Sequence, residues 1–281
     1  MRSGYWATRR GIAGRSRLPN RAPATDHGQP EETSSDTRRG ALSRGIDISI
    51  NPSRILRVLL FVIAVIVILS TAGQVMAYNM PDFPLRDGIA NLFLVSREQS
   101  VGTLYSLTMW IAGALLAWAI AHAHRRGGEA SWRHWAALSF LFVLLAIDEQ
   151  GNLHEQSTEY IRSALNVTGG PLWYTWVVPA LAFIAAIAIA FLRFVRHLPR
   201  FTRHRMLLAS LLFLAGAIGL EMLGGWYSSM HGERNPVWVA LATLEETLEM
   251  VGLTVFVYAL LTYIPVGLPD AAWRLQIRSP R

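Results

Sequence analysis

Apolar positions in this chain neither alternate nor keep to one helical face; they come in long, nearly unbroken blocks. Six blocks run near residues 55–77, 101–123, 134–150, 172–195, 206–227 and 237–264. A block of about 18 or more apolar residues is long enough to cross a bilayer as a helix. A helix that is apolar all round gains nothing from water and is buried in a core or in lipid. The pattern predicts an all-α, polytopic membrane bundle of about six transmembrane helices over residues 55–266. Residues 1–54 are rich in Arg, Ser, Gly and Pro and read as a disordered tail, and residues 267–281 form a short C-terminal tail.

Composition narrows the chemistry. There is no cysteine, which excludes disulfides, thiolate catalysis and thiolate-held metal. All 26 basic residues are arginine, so no lysine amine is present to form a Schiff base, and neither retinal nor pyridoxal phosphate is expected. The net charge of +7 would suit nucleic acid in a soluble protein, but here the arginines sort by side of the membrane. Twenty-two lie in the N-terminal tail, the 2–3 and 4–5 loops and the C-terminal tail, against Arg86, Arg97, Arg162 and Arg234 in the other loops. Arginine-rich loops stay inside. Both termini are therefore expected in the cytoplasm, in a bacterial inner or plasma membrane, with the lipid bilayer as partner and no nucleic acid.

This orientation gives meaning to the charges that interrupt the apolar blocks. Helix 3 ends in "AIDEQGNLHEQ", which puts Asp148 and Glu149 in its outer half. Helix 5 carries Glu221 in "GAIGLEMLGGW", and helix 6 carries Glu245, Glu246 and Glu249 in "TLEETLEMVG". Glu98 stands at the mouth of helix 2, in "REQSVGTLYS", where Gly102, Tyr105, Ser106 and Met109 continue its face as a polar stripe. Four helices thus bring carboxylates to one outer layer. Each buried charge there costs at least a few kcal/mol, and several together repel. Shared protons or a bound cation are the stable solutions, since only Arg97 and Arg234 are near enough to compensate from the rim.

Spacing sharpens the candidates. Glu245 and Glu249, four apart, share a helix face, and Glu246 points about 100° away. Gly252 follows on the first face, and Gly224 and Gly225 follow Glu221, where small residues let a neighbour approach closely. Helix 3 is expected to stop at Gly151–Asn152, with Asn152 capping a short helix whose N3 residue is Glu155. Asp148, Glu221, Glu245 and Glu249 are the candidate metal ligands, Glu149 and His154 the candidate proton movers, and Glu98, Glu155 and Glu246 additional members. His122, His124, His134, His197 and His204 fall at the cytoplasmic rim beside arginines and read as solvated or in contact with lipid headgroups. The Trp and Tyr residues at 173, 174, 176, 226, 227 and 238 read as an interfacial belt.

The motifs "EQSVGTLYS", "AIDEQGNLHEQ" and "LEETLEMVG" together resemble a group of bacterial six-helix membrane proteins of unknown function, over roughly residues 92–265. The resemblance implies that the carboxylate segments belong together, and it brings no activity. Glu-x-x-His pairs of di-iron bundles are missing from the layer, histidines are too few for zinc or haem, and an oxygen-rich set suits Mg, Mn, Ca or Fe. The expected function is a metal-dependent membrane enzyme acting on a lipid or other apolar small molecule. A proton- or cation-coupled transporter and a cation-binding structural or sensory protein are the alternatives. The apolar inner halves of helices 3, 5 and 6 favour a closed pocket over a transport path.

Overall fold

The computed structural model describes residues 51–79, 100–233 and 235–268. Glu98, Arg97, Arg234 and most of both tails lie outside these residues. Among the described residues the chain is all helical, with seven helices: α1 Pro52–Asn79, α2 Val101–Arg126, α3 Trp132–Gly151, α4 Leu153–Leu165, α5 Val177–His197, α6 Arg200–His231 and α7 Pro236–Gly267. Five of them are long and apolar enough to cross a membrane, and the bent α3–α4 pair brings the number to six.

The chain signals its own helix ends. Ser100 caps α2 by accepting the Thr103 N–H at 3.2 Å, and Asn235 caps α7 by accepting that of Trp238 at 3.0 Å, with Pro236 at the first helical position. Helix α3 stops at Gly151 because Asn152 adopts a left-handed conformation, φ 47°. The next helix, α4, then departs at 74°. Its first turn is not capped by the Asn152 side chain, which instead donates to Glu155 Oε2 at 2.7 Å. The cap comes from Asp148, whose Oδ1 accepts the His154 N–H at 3.1 Å.

Helix α7 is the hub and packs on α1, α2 and α6. Its closest approach is to α6 at Gly252, where an added Cβ would stand 2.7 Å from Phe213 N and 3.0 Å from the Ala209 carbonyl oxygen. Gly252 is needed because backbone occupies that space. Gly225 likewise makes room, though for the Tyr174 ring at 2.9 Å, whereas Gly224 faces nothing within 4 Å. Within α6, residues Ala215–Leu220 form a π-helical segment directly before Glu221. Gly216 in this segment lies against the Glu245 carbonyl oxygen, 2.8 Å from where its Cβ would be. Insertions of this kind occur often at functional sites, and the smooth apolar pattern of this region gives no sign of it.

Halfway along the bundle, aromatic rings of α2, α3, α6 and α7 pack together. Trp110 meets Phe142 and Phe213 at ring distances of 5.1 and 5.3 Å, and Phe142 meets Phe256 at 5.0 Å. At the arginine-bearing end, two histidines depart from the solvated or headgroup-facing role expected of them. His124 is only 3% exposed. Its Nδ1 lies 2.6 Å from Glu129 Oε2 and its Nε2 2.9 Å from the Tyr263 hydroxyl, joining α2 to α7. The His134 ring stacks on Phe194 at 5.0 Å. Both sit in the terminal turn of their helix, where aromatic residues of α3, α5 and α7 pack against them.

Candidate functional site

Asp148 and His154 form the centre of the acidic end. The tight turn at Gly151–Asn152 swings α4 aside by 74°, so that the carboxylate capping its first turn also reaches the imidazole: Asp148 Oδ2 lies 2.7 Å from His154 Nδ1. One carboxylate thus fixes both the backbone and the ring of a single histidine. Its Nε2 is left without a hydrogen-bond partner among the described residues. A ring held through one nitrogen has its tautomer set by that bond, leaving the other nitrogen to act on a reacting group.

The imidazole packs against the Trp176 indole at 4.5 Å. Trp176, in the turn before α5, donates its Nε1–H to Glu221 Oε1 at 2.7 Å. Beyond it, Glu221 and Glu245 face each other closely enough to share a proton. Glu246 and Glu249 come within electrostatic reach of Glu149, Glu155 and Glu221, and His154 within reach of Glu155 and Glu221. The acidic residues of α3, α6 and α7 thus converge as their spacing predicts. Glu221 is buried and Glu155 is exposed, while Asp148, Glu149, Glu245, Glu246 and Glu249 are partly buried. Glu98 lies outside the described residues.

Convergence does not make a metal cage. Among the described residues, no group of three or more His, Asp or Glu side chains is disposed to hold a metal ion. The reason is visible at two of the four expected ligands: both Asp148 oxygens are turned to His154, and Glu221 is taken by Trp176.

Several members of the site were not singled out by their sequence setting. Trp176 lies in an apolar–aromatic run that looks like an interfacial belt. Gln74 of α1 donates to Thr243 Oγ1 at 2.8 Å, one turn from Glu246, within a block whose mean character is apolar. On α2, Gly102, Tyr105, Ser106 and Met109 are buried as the stripe predicts, and the Tyr105 hydroxyl meets Thr254 Oγ1 at 2.6 Å.

A family model described as a domain of unknown function, DUF8692, matches residues 58–264. The chain belongs to that family. Neither a curated protein nor a solved structure matches it significantly. The matched span of this DUF8692 member takes in all of α2–α6 and most of α1 and α7, so the dyad and the acidic cluster both lie inside the family's domain. The likeness to an uncharacterised family, carried by three acidic motifs, holds.

The outer wall is tied separately from the cluster. Tyr174 donates its hydroxyl to Glu233 Oε1 at 2.9 Å and accepts from Trp238 Nε1 at 3.2 Å, linking the turn before α5 to the ends of α6 and α7. Burial pushes this phenol well above its ordinary value of 10.0. A raised folded-state value contributes stability that is complete below the unfolded value and lost as pH rises through the folded one. Unfolding measured from about pH 9 upward should show this alkaline loss in the wild type and a flatter profile in Tyr174→Phe. Identical slopes would mean that the phenol does not carry the wall's pH dependence.

Proposed function

We propose that this DUF8692 member spans the inner membrane with the acidic end outside. In this reading it is an enzyme that performs acid–base chemistry on a lipid or other apolar substrate. The arginine distribution supports the orientation. The observation that carries the chemistry is the Asp148–His154 pair, an oriented imidazole whose Nε2 has no hydrogen-bond partner among the described residues, beside a set of carboxyls. His154 is the base. Glu149 and the Glu221–Glu245 pair hold protons, because carboxylates this close in a poor dielectric cannot all stay charged without a counter-charge. A base and a proton store side by side are what proton transfer to and from a bound substrate requires.

The aromatic layer of Trp110, Phe142, Phe213 and Phe256 favours this reading over a transporter. It stands between the acidic end and the arginine-bearing end, where a coupled ion would need polar steps. A divalent cation held by Glu245 and Glu249, with Asp148 and Glu221 recruited by rearrangement, is the second reading. The shared face of Glu245 and Glu249 supports it.

The test is to reconstitute the wild type and His154→Asn in vesicles of bacterial lipid and follow the extracted lipids over time. Conversion by the wild type alone is expected; identical lipid profiles would sink the enzyme reading. Elemental analysis of the wild type beside Glu245→Gln/Glu249→Gln separates the two forms of it. Negligible metal in both is expected, and stoichiometric metal lost in the variant would establish the cation. Robust cation-driven uptake by the wild-type vesicles would instead make the protein a carrier.

A further inference from the structure

At the arginine-bearing end one guanidinium is held in place without a counter-charge. Arg205 is half-buried in the seam between α6 and α7. Its Nη1–H donates to Thr262 Oγ1 at 2.8 Å, and its Cζ lies 4.8 Å from the centre of the Tyr258 ring. The Thr262 hydroxyl directs its own proton at the carbonyl oxygens of Tyr258 and Ala259, each 3.0 Å away, so toward the arginine it acts only as an acceptor. Two residues of α7 thus fix where the guanidinium sits, and neither neutralises it. Among the described residues Arg205 makes no ion pair. The one described acid at this end, Glu129, faces His124. A charge inside a spanning helix is costly until it is paired, and it marks a binding place by default.

The chemistry of the seam restricts the partner. A guanidinium is a planar fork of N–H donors with no acceptor. Thr262 takes one of them, and the others meet no acceptor among the described residues. Such a fork matches the paired oxygens of a phosphate or carboxylate. The surroundings also favour an anion: Arg193, Arg196, Arg200 and Arg203 stand at the α5–α6 corner with no acid between them. Phe201 and Leu208, four before and three after Arg205, share its helix face. Both are exposed, as is Val266, four residues after Thr262 on α7. Arg205 lies about 7–8 Å along α6 from its start at Arg200, and Thr262 is equally far from the end of α7 at Gly267. The guanidinium is therefore flanked by apolar surface just inside the helix ends. An anion that brings apolar chains of its own fits such a place, whereas a free phosphate would leave those flanks uncovered.

We infer that the phosphate of an anionic phospholipid binds Arg205 at the seam of α6 and α7, with its acyl chains against Phe201, Leu208 and Val266. The inference rests on the membrane reading above and is independent of the acid–base chemistry at the other end. Tyr258 covers one face of the guanidinium and Thr262 holds its Nη1, so the remaining N–H edge is oriented before the lipid arrives. Orientation in advance lowers the ordering cost of binding.

The probe is phosphatidylglycerol with a diazirine near the head of one chain, added to the full-length protein in phosphatidylcholine nanodiscs. Phosphatidylcholine with the same chains and label is the comparison. Saturable labelling of peptides from residues 201–208 and 258–266 by the anionic lipid is expected, roughly tenfold or more above the zwitterionic one, the scale of one hydrogen bond between charged groups. Arg205→Gln should abolish the excess. Arg205→Lys, which keeps the charge and loses the fork, should retain part of it. Arg203→Gln, two residues away on another face, should leave it unchanged. Unlabelled phosphatidylglycerol should compete, and glycerol phosphate should not. Equal labelling by the two lipids would reduce the seam to ordinary lipid solvation. An excess that survives in Arg205→Gln and Arg205→Lys alike would belong to the general field of arginines, and competition by glycerol phosphate would make the ligand a soluble anion. Each of these results overturns the inference. Both faces of a nanodisc are accessible, so the outcome does not depend on orientation. A chain that fails to co-purify with the discs would sink the membrane reading, and the inference with it.

Discussion

Asp148→Asn is expected, on the proposed acid–base reading, to lower the rate of lipid conversion by roughly 10²–10⁴-fold, the usual range for a positioned acid–base group, while leaving the helices formed. Asp148 accepts from the His154 backbone N–H and holds the ring at Nδ1 through its second oxygen. An asparagine retains one acceptor and puts an NH₂ donor where the second acceptor was. If its oxygen keeps the backbone N–H, the NH₂ faces Nδ1 and forces the proton onto Nε2, which can then no longer act as a base. The helix cap survives this exchange, and loss of a cap altogether would cost only about 1 kcal/mol. Rate and stability therefore separate in this variant. The measurements are lipid turnover in vesicles and helix content by circular dichroism, and an unchanged rate with intact helices would remove Asp148 from the mechanism.

The second large effect falls on stability, at the contact between α6 and α7. Gly252→Leu places a side chain where Phe213 N and the Ala209 carbonyl oxygen already stand, 2.7 and 3.0 Å from the new Cβ. Backbone atoms in two packed helices cannot rotate aside as the tip of a side chain can. The cost is expected at the top of the overpacking range, about 3 kcal/mol, or a fall in Tm of roughly 6–12 °C. Since α7 also packs on α1 and α2, the displacement would reach the acidic cluster as well. Gly224→Ala provides the contrast. Its Cβ meets nothing within 4 Å, and replacing glycine inside a helix adds about 0.5–1 kcal/mol. Thermal unfolding in one detergent should order the three proteins as Gly224→Ala, wild type, Gly252→Leu; a Gly252→Leu protein as stable as the wild type would mean that the two helices are free to separate.

These two residues also mark the boundary between what was legible beforehand and what was not. The importance of Gly252 follows from spacing alone, because it continues the face of Glu245 and Glu249 by helical period. Gly224 shares the same local signature behind Glu221 and yet faces open space, since spacing says which face a residue occupies and nothing about what stands opposite. For Asp148, a place near the end of its helix was evident, but its two partners depend on the angle at which α4 departs after Asn152. Trp176 illustrates the same limit: an indole in an aromatic run reads as interfacial until its N–H is seen to reach Glu221.

The histidines at the other end carry a further lesson. Arginines beside His124 suggested a hydrated rim, and charge in the neighbouring sequence is a fair guide to the membrane side. It is a poor guide to burial within one helical turn, where Tyr263 from α7 and Glu129 from the following loop enclose the ring.

Sequence by itself determined the helices, their approximate limits, the sorting of arginines and the meeting of carboxylates at one level, because each follows from runs and periods along a single chain. Only the tertiary structure decided that Asp148 grips His154, that α6 loosens into a π-helical segment before Glu221, and that the Trp176 N–H reaches Glu221. These depend on the distance between atoms of different helices, and a difference of an ångström there separates a hydrogen bond from an empty place.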